Sequence, residues 1–188
     1  MSVESRRRLA SGMTSTRFVP ALHAAEVSRY RRQMPHAHLD ASLSIQAPAL
    51  AVFDRMSDLS RFNDWNPFPS MDATTTSSHE GPASGVGAVF CYEGQRLGKG
   101  RMEIVAVDAP RRIDIKMTFW RGETVTESKS AFVIAESGGA SEVHWTFDED
   151  RGLGMYLMGK LMFDRMMTRT FGSGLETLRK LVEAESRG

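Results

Sequence analysis

The sequence is poor in the residues that crosslink a chain or anchor it in a membrane. Its single cysteine, Cys91, excludes an internal disulfide bond. No run approaches the roughly 18 consecutive apolar residues of a membrane-spanning helix. The arginine cluster at residues 6–8 is followed by polar residues, not by the apolar core of a secretion signal. We therefore expect a cytoplasmic protein without a membrane span.

The chain also lacks the overall basic charge that nucleic-acid binding requires. Its formal net charge is +1, yet residues 1–35 carry seven arginines against Glu4 and Glu26, a local net charge of +5. The remainder is therefore acidic, and we expect no nucleic-acid partner. Residues 1–35 are predicted to form a basic, weakly ordered N-terminal extension, or to precede a true start at Met34.

Patterns that would hold a metal or a cofactor are missing as well. The five histidines, at positions 23, 36, 38, 79 and 144, show no helical metal-binding spacing. The glycine pairs Gly85/Gly87 and Gly98/Gly100 lack the remaining residues of nucleotide-binding loops. Cys91 has no recognisable base partner, so a structural role is favoured over a nucleophilic one. We predict neither a metal nor a cofactor.

What the sequence does contain is the pattern of one α+β domain over residues 36–188. A first strand alternates from His38 to Ile45, and Pro48 begins a short helix. A second short helix starts near Ser60, and residues 66–69 are predicted to form a rigid loop because they hold two prolines. A long helix closes the chain from about Gly152 to Glu185. Six further strands are predicted at Thr74–Ser78, Gly87–Glu93, Gly100–Val107, Arg112–Trp120, Thr124–Ile134 and Glu142–Asp148.

Three segments resemble one superfamily in their order along the chain: residues 58–67 (DLSRFNDWNP), 85–88 (GVGA) and 98–104 (GKGRMEI). The closing helix, with Asp164, Phe171 and Leu175, is similar too. Residues 38–185 thus resemble the SRPBCC, START-like or Bet v 1-like superfamily, in its polyketide cyclase/dehydrase-like branch. The resemblance implies a helix-grip fold, in which a curved seven-stranded antiparallel sheet holds the long C-terminal helix over an apolar cavity.

Aromatic and methionine side chains are the predicted lining of that cavity. Met155, Met158, Met162 and Met166 form one helical stripe, although such a stripe is also typical of ordinary core. The remaining candidates for ligand binding lie on the strands and in the loop before them: Trp65, Phe90, Tyr92, Met117, Phe119, Phe132 and Trp145.

The closing helix carries a second apolar stripe, of Phe171, Leu175, Leu178 and Val182, almost opposite the methionines. One straight helix cannot turn both stripes to one sheet. We therefore expect either cover on both sides or a kink near Asp164, after which the Phe171 stripe grips the sheet. Asp164 itself is interpreted as a helix N-cap or as a polar anchor inside the cavity.

Three functions remain open from the sequence. The favoured one is a carrier or sensor that binds a lipid-, polyketide- or quinone-like molecule without catalysis. A cyclase or dehydratase using the same cavity is the alternative, with Asp164 and Tyr92 as catalytic candidates. A protein-interaction module that uses the basic extension is the third. The sequence leaves the oligomeric state open between monomer and dimer.

Overall fold

The computed structural model describes residues 35–152, 154 and 163–187. Its helices are α1 (Ala49–Ser57), a 3₁₀ helix (Leu59–Asp64), α2 (Phe68–Met71) and α3 (Asp164–Glu185). Its strands are β1 (His36–Ile45), β2 (Thr76–Glu80), β3 (Val89–Gly94), β4 (Gly98–Asp108), β5 (Arg112–Arg121), β6 (Thr124–Ser137) and β7 (Ala140–Asp150).

All seven strands belong to one antiparallel sheet in the order β1-β7-β6-β5-β4-β3-β2. Its tightest turns follow from glycine. Gly138 and Gly139 alone connect β6 to β7, and both have positive φ, at 63° and 82°. A two-residue hairpin loop needs such angles to match the strand twist, and glycine adopts them without steric cost.

Helix α3 covers the concave face of the sheet with the Phe171 stripe. Phe171, Leu175, Leu178 and Val182 are at most 2% exposed. The helix packs along β1, and at its far end the Glu183 carboxylate accepts a hydrogen bond of 2.9 Å from the Gln46 amide. The prediction that this part of the closing helix grips the sheet is confirmed.

The helix-grip architecture predicted from the sequence is confirmed, with a difference before β2. Residues 66–69 do not form the predicted loop, because α2 begins at Phe68 within this segment. Pro67 occupies its N-cap and Pro69 its first turn, where a missing amide proton removes no helical hydrogen bond. Prolines at these positions begin a helix, so three short helical segments follow β1 where two were predicted.

Several predictions fall on residues that the structure does not describe. The basic extension over residues 1–35 lies outside the described residues except for Pro35. Met155, Met158 and Met162 lie outside them too, as does the predicted kink, which depends on the segment before Asp164. Within the described ranges, no helix combines the length and apolar character needed to cross a membrane.

Candidate functional site

Aromatic side chains from the 3₁₀ helix, from the residue after it and from the inner faces of β3, β6 and β7 form one cluster. Phe62 of the 3₁₀ helix packs edge-to-face on Trp65, Phe90 and Trp145, at centroid distances of 4.6, 4.9 and 6.3 Å. Trp65 also meets Phe132 and Trp145, each at 5.7 Å. All five side chains are at most 2% exposed. Four predicted ligand-lining residues, Trp65, Phe90, Phe132 and Trp145, thus lie together in a closely packed core.

Farther along β5, β6 and β7 from this cluster, the side chains of the concave face are in part less completely buried. Met117 and Phe119 of β5 and Phe147 of β7 form its apolar wall there, with Phe119 and Phe147 6.1 Å apart between ring centroids. Met117 is 5% exposed, whereas Phe119 is only half-buried. Of the two predicted lining residues on β5, Phe119 is therefore the less completely covered.

Strand β6 presents hydroxyl groups to this same end. Thr126, Ser128 and Ser130 alternate on the inner face before Phe132, opposite Phe119, Met117 and Ile115 of β5. The Ser130 hydroxyl accepts from Trp145 Nε1 at 3.2 Å and donates to the Thr146 carbonyl at 2.7 Å. The Ser128 hydroxyl is buried and has no hydrogen-bond partner among the described residues.

Arg151, directly after β7, is a buried charged group in this region. Its side chain is 3% exposed, and it donates from Nε to Glu149 at 2.9 Å and from Nη1 to Asp164 at 2.5 Å. Burial lowers the pKa of Arg151, but the hydrogen bonds to Asp164 and Glu149 outweigh it and raise the pKa above its ordinary value. The guanidinium therefore stays charged.

Asp164 pairs with Arg151 and is not the N-cap of α3. Phe163 occupies the N-cap of α3, where no side chain caps the helix, and the Asp164 carboxylate instead accepts from Arg151. The N-cap interpretation from the sequence is therefore wrong, because the ion pair orients this carboxylate toward the end of β7.

Tyr92, the other catalytic candidate, occupies a different place. Its ring lies on the backbone of Gly100, where a Cβ would come within 2.3 Å of the Tyr92 Cζ, and 5.0 Å from the Phe68 ring. Burial raises the pKa of its hydroxyl to about 12. Three strands separate β3, which holds Tyr92, from β7 and Arg151.

An open groove of about 440 Å³ lies between the edge strand β1 and the first turns of α3. Asp164 lines this groove and also pairs with Arg151, so it lies between the groove and the buried guanidinium. The other lining residues are His38, Leu39, Asp40, Arg165, Thr168 and Arg169.

Two further candidates face away from the concave side. Met166, the fourth member of the methionine stripe, is 46% exposed, so its predicted place in the cavity lining is wrong. Cys91 contacts Glu80 at 3.7 Å between Sγ and Oε1, and burial raises the pKa of its thiol. A raised pKa keeps the thiol protonated, which fits the structural role expected from the sequence.

The histidines near the start of the domain form hydrogen bonds between strands. Asp148 of β7 accepts from His38 Nδ1 at 2.7 Å and from His36 Nε2 at 3.0 Å, and His36 Nδ1 lies 3.2 Å from Asp150. In the described part of the chain, no group of three or more His, Cys, Asp or Glu side chains has metal-site geometry. The cluster therefore ties β1 to β7.

Sequence reasoning missed Ser128 and Arg151. A signal for Ser128 was present, since Thr126, Ser128 and Ser130 occupy the inner phase of a strand whose next inner residues are apolar. The sequence contains no such signal for Arg151, because it follows the acidic run Asp148–Asp150 and an arginine after such a run is ordinarily solvated.

Comparisons with known proteins agree with this architecture. Residues 36–183 match the family described as polyketide cyclase/dehydrase and lipid transport. No curated protein sequence matches the chain.

Several solved structures share the fold at low sequence identity. Truncated norcoclaurine synthase from Thalictrum flavum is 12% identical with a TM-score of 0.62, over 79% of this chain and 94% of that one. Protein Ms6760 from Mycobacterium smegmatis is 17% identical with a TM-score of 0.57, over 79% and 92%. The Aha1 dimer from Colwellia psychrerythraea is 12% identical with a TM-score of 0.57, over 78% and 96%. These likenesses, with the family match, confirm the superfamily resemblance seen in the sequence.

Proposed function

The chain belongs to the polyketide cyclase/dehydrase and lipid transport family, and we propose that it binds a hydrophobic small molecule between the sheet and the C-terminal helical segment, as a carrier or sensor. The predicted lining at Met117 and Phe119 belongs to this proposal. So do Met155, Met158 and Met162, which the structure does not describe.

The observation that carries the proposal is the uneven packing of the concave face. Around Trp65 and Trp145 the rings contact one another closely, as in an ordinary core. Toward Phe119 the same face combines a half-buried aromatic ring with the buried hydroxyl of Ser128, which has no hydrogen-bond partner in the described part of the chain. An apolar wall with a few convergent polar groups is the usual composition of a small-molecule site.

A cyclase or dehydratase using this site has less support. Tyr92, with its pKa near 12, stays protonated at neutral pH and is a poor general base. The Asp164 carboxylate already accepts a hydrogen bond from Arg151, which competes with a substrate for it. The two candidates also lie in different surroundings, so they do not form an acid and base pair.

Titration with the uncharged fluorescent probe N-phenylnaphthylamine tests binding directly. We expect its emission to rise and shift to the blue with the wild-type protein. Phe119→Glu places a charge in the apolar wall, so we expect it to weaken probe binding at least about tenfold. Half-buried Phe119 tolerates this change better than the fully buried rings do.

Val125→Glu provides the matched control. Val125 is 54% exposed and lies on β6 near the turn that follows Phe119. Its replacement by glutamate should therefore leave probe binding unchanged. Melting curves of both variants test whether each is folded. A wild-type protein without probe enhancement, or equal binding by Phe119→Glu, would contradict the proposal.

A further inference from the structure

Arg151 has one hydrogen-bonding nitrogen more than its protein partners use. Nε and Nη1 donate to Glu149 and Asp164, and the guanidinium lies 5.2 Å over the Phe163 ring. Nη2 is buried and has no partner among the described residues. Because buried donors are almost always paired, an unpartnered nitrogen on a 96% buried arginine points to a group that binds there.

Ser128 provides a second donor without a partner among the residues that the structure describes. It occupies the inner face of β6 beside Met117, and its residue is 6% exposed. Ser130, two residues along the same face, has partners for its hydroxyl on both sides. The difference between these serines shows that an unpartnered hydroxyl is not imposed by the strand itself.

The strand register brings the two unused donors to one end of the sheet. Ser130 is opposite Phe147 on the antiparallel neighbour strand. The residues before Ser130 on β6 and those after Phe147 on β7 therefore lie toward the same end of the two strands. Ser128 lies in that direction on β6, and Arg151 lies in it beyond β7. Both therefore belong to the end of the concave face that holds Phe119.

The charges around Arg151 distinguish between kinds of ligand. Its single positive charge is already shared by the carboxylates of Glu149 and Asp164, so the three side chains carry a formal net charge of −1. A third carboxylate would be repelled in this buried setting. An uncharged oxygen can accept from Nη2 without that repulsion.

We propose that the hydrophobic ligand carries an uncharged acceptor oxygen, of the ketone, quinone or ester type, that accepts hydrogen bonds from Arg151 Nη2 and Ser128 Oγ. This inference rests on the proposed function and adds the chemistry of the ligand's polar end. A free fatty acid, whose polar end is a carboxylate, is disfavoured by the same arrangement.

Three probes with one ring system and different substituents test the inference. Acetylnaphthalene carries a neutral acceptor, naphthoate a carboxylate, and ethylnaphthalene no acceptor, with the substituent at the same ring position. Dissociation constants come from quenching of tryptophan fluorescence. We expect acetylnaphthalene to bind at least about tenfold more tightly than either of the others.

Variants then connect this preference to the two donors. Ser128→Ala removes only an unpartnered hydroxyl, so it should fold normally and reduce the preference for acetylnaphthalene over ethylnaphthalene severalfold. Arg151→Gln should abolish the preference. Should Arg151→Gln fail to fold, Ser128→Ala still decides the matter. Ser130→Ala, on the same face of β6, is the matched control and should keep the preference.

The outcomes separate the two proposals. Equal binding of acetylnaphthalene and ethylnaphthalene would overturn the inference and leave ligand binding intact. Tightest binding of naphthoate would overturn the assignment of an uncharged oxygen. A full preference retained by Ser128→Ala would show that this hydroxyl takes no part. Absence of binding by all three probes would count against the proposed function itself.

Discussion

The indole of Trp145 stacks on the ring of Phe171, with centroids 4.3 Å apart and planes inclined by 12°. Trp145 lies on the inner face of β7 and Phe171 in the second turn of α3, and each is 2% exposed. The contact therefore joins the sheet to the helix that covers it, at the boundary between the packed ring cluster and the proposed ligand site.

Loss of this stacked ring should be costly. We expect Phe171→Ala to lower the free energy of unfolding by about 3–5 kcal/mol, because the cavity left between sheet and helix cannot collapse fully. Urea denaturation followed by tryptophan fluorescence measures the change. Met166→Ala, at an exposed position of the same helix, should stay within about 0.5 kcal/mol of the wild type. Similar losses in both variants would refute the assigned packing.

Two glycines of α3 should respond in opposite directions to alanine. A Cβ at Gly172 would meet no atom within 4 Å, so Gly172→Ala should raise the unfolding free energy by about 0.5–1 kcal/mol through helix propensity. A Cβ at Gly174 would lie 3.1 Å from Pro67 Cδ and 3.2 Å from Trp145 Cζ3. Gly174→Ala should therefore destabilise the protein in urea denaturation. Stabilisation by both changes would contradict the close approach of α3 to Pro67.

Arg55 is a buried charge whose partners are exposed. It is 5% exposed and pairs with Asp64 at 2.8 Å and with Glu185 at 3.4 Å, while Nε has no partner among the described residues. Arg55→Met should leave the unfolding free energy unchanged or raise it by about 1 kcal/mol, because a desolvated charge is removed and its former partners remain hydrated.

Asp64→Ala is the contrasting change, since it leaves the Arg55 guanidinium buried without its nearest partner. We expect a loss of about 2 kcal/mol, measured by guanidinium chloride denaturation beside Arg55→Met. If Arg55→Met were the more damaging of the two, the ion pair would have to be a net stabiliser.

Stability should depend on pH through the ion pairs between β1 and β7. Hydrogen bonds to Asp150 and Asp148 raise the pKa of His36 above 6.5. Its contribution is therefore complete below that value and is lost as pH rises through the raised pKa. Burial raises the pKa of Asp148, but the hydrogen bonds from His38 and His36 outweigh it and hold the pKa below 3.8. The Asp148 contribution is thus present above pH 3.8 and is lost as pH falls through the lowered pKa.

The urea midpoint of His36→Gln measures this contribution. The wild type should exceed the variant most at about pH 5, and the difference should shrink as pH rises through the raised pKa of His36. His79→Gln, whose imidazole packs on the Phe90 ring, serves as the control. A difference that grows toward alkaline pH would have the wrong sign for this account.

Much of the fold could be predicted because local sequence patterns determine which residues of a strand or helix share a face. Alternation in β5 and β7 placed Ile113 to Phe119 and Val143 to Phe147 on one face, and that face is the observed concave side. The glycine turns marked the hairpins. The Phe171 stripe predicted the buried side of α3, since a 3.6-residue period determines which residues share a face.

The site could be predicted less well, because it depends on tertiary neighbours. The aromatic residues share one composition, yet Trp65 lies in the packed cluster and Phe119 lies at its margin. Asp164 had the sequence context of a cap, and only the approach of Arg151 from the end of β7 gives it a different partner. Nothing in the local sequence distinguishes the hydroxyl of Ser130, which has two partners, from that of Ser128, which has none within the described ranges.

Native mass spectrometry of the purified chain tests the central claim most directly. We predict a population heavier than the polypeptide by the mass of one small molecule, released by collisional activation and recovered in an organic extract. Phe119→Glu should lower the heavier population, and Val125→Glu should retain it. A bare polypeptide mass that stays unchanged after incubation with ketone, quinone and lipid probes would contradict ligand binding by this domain.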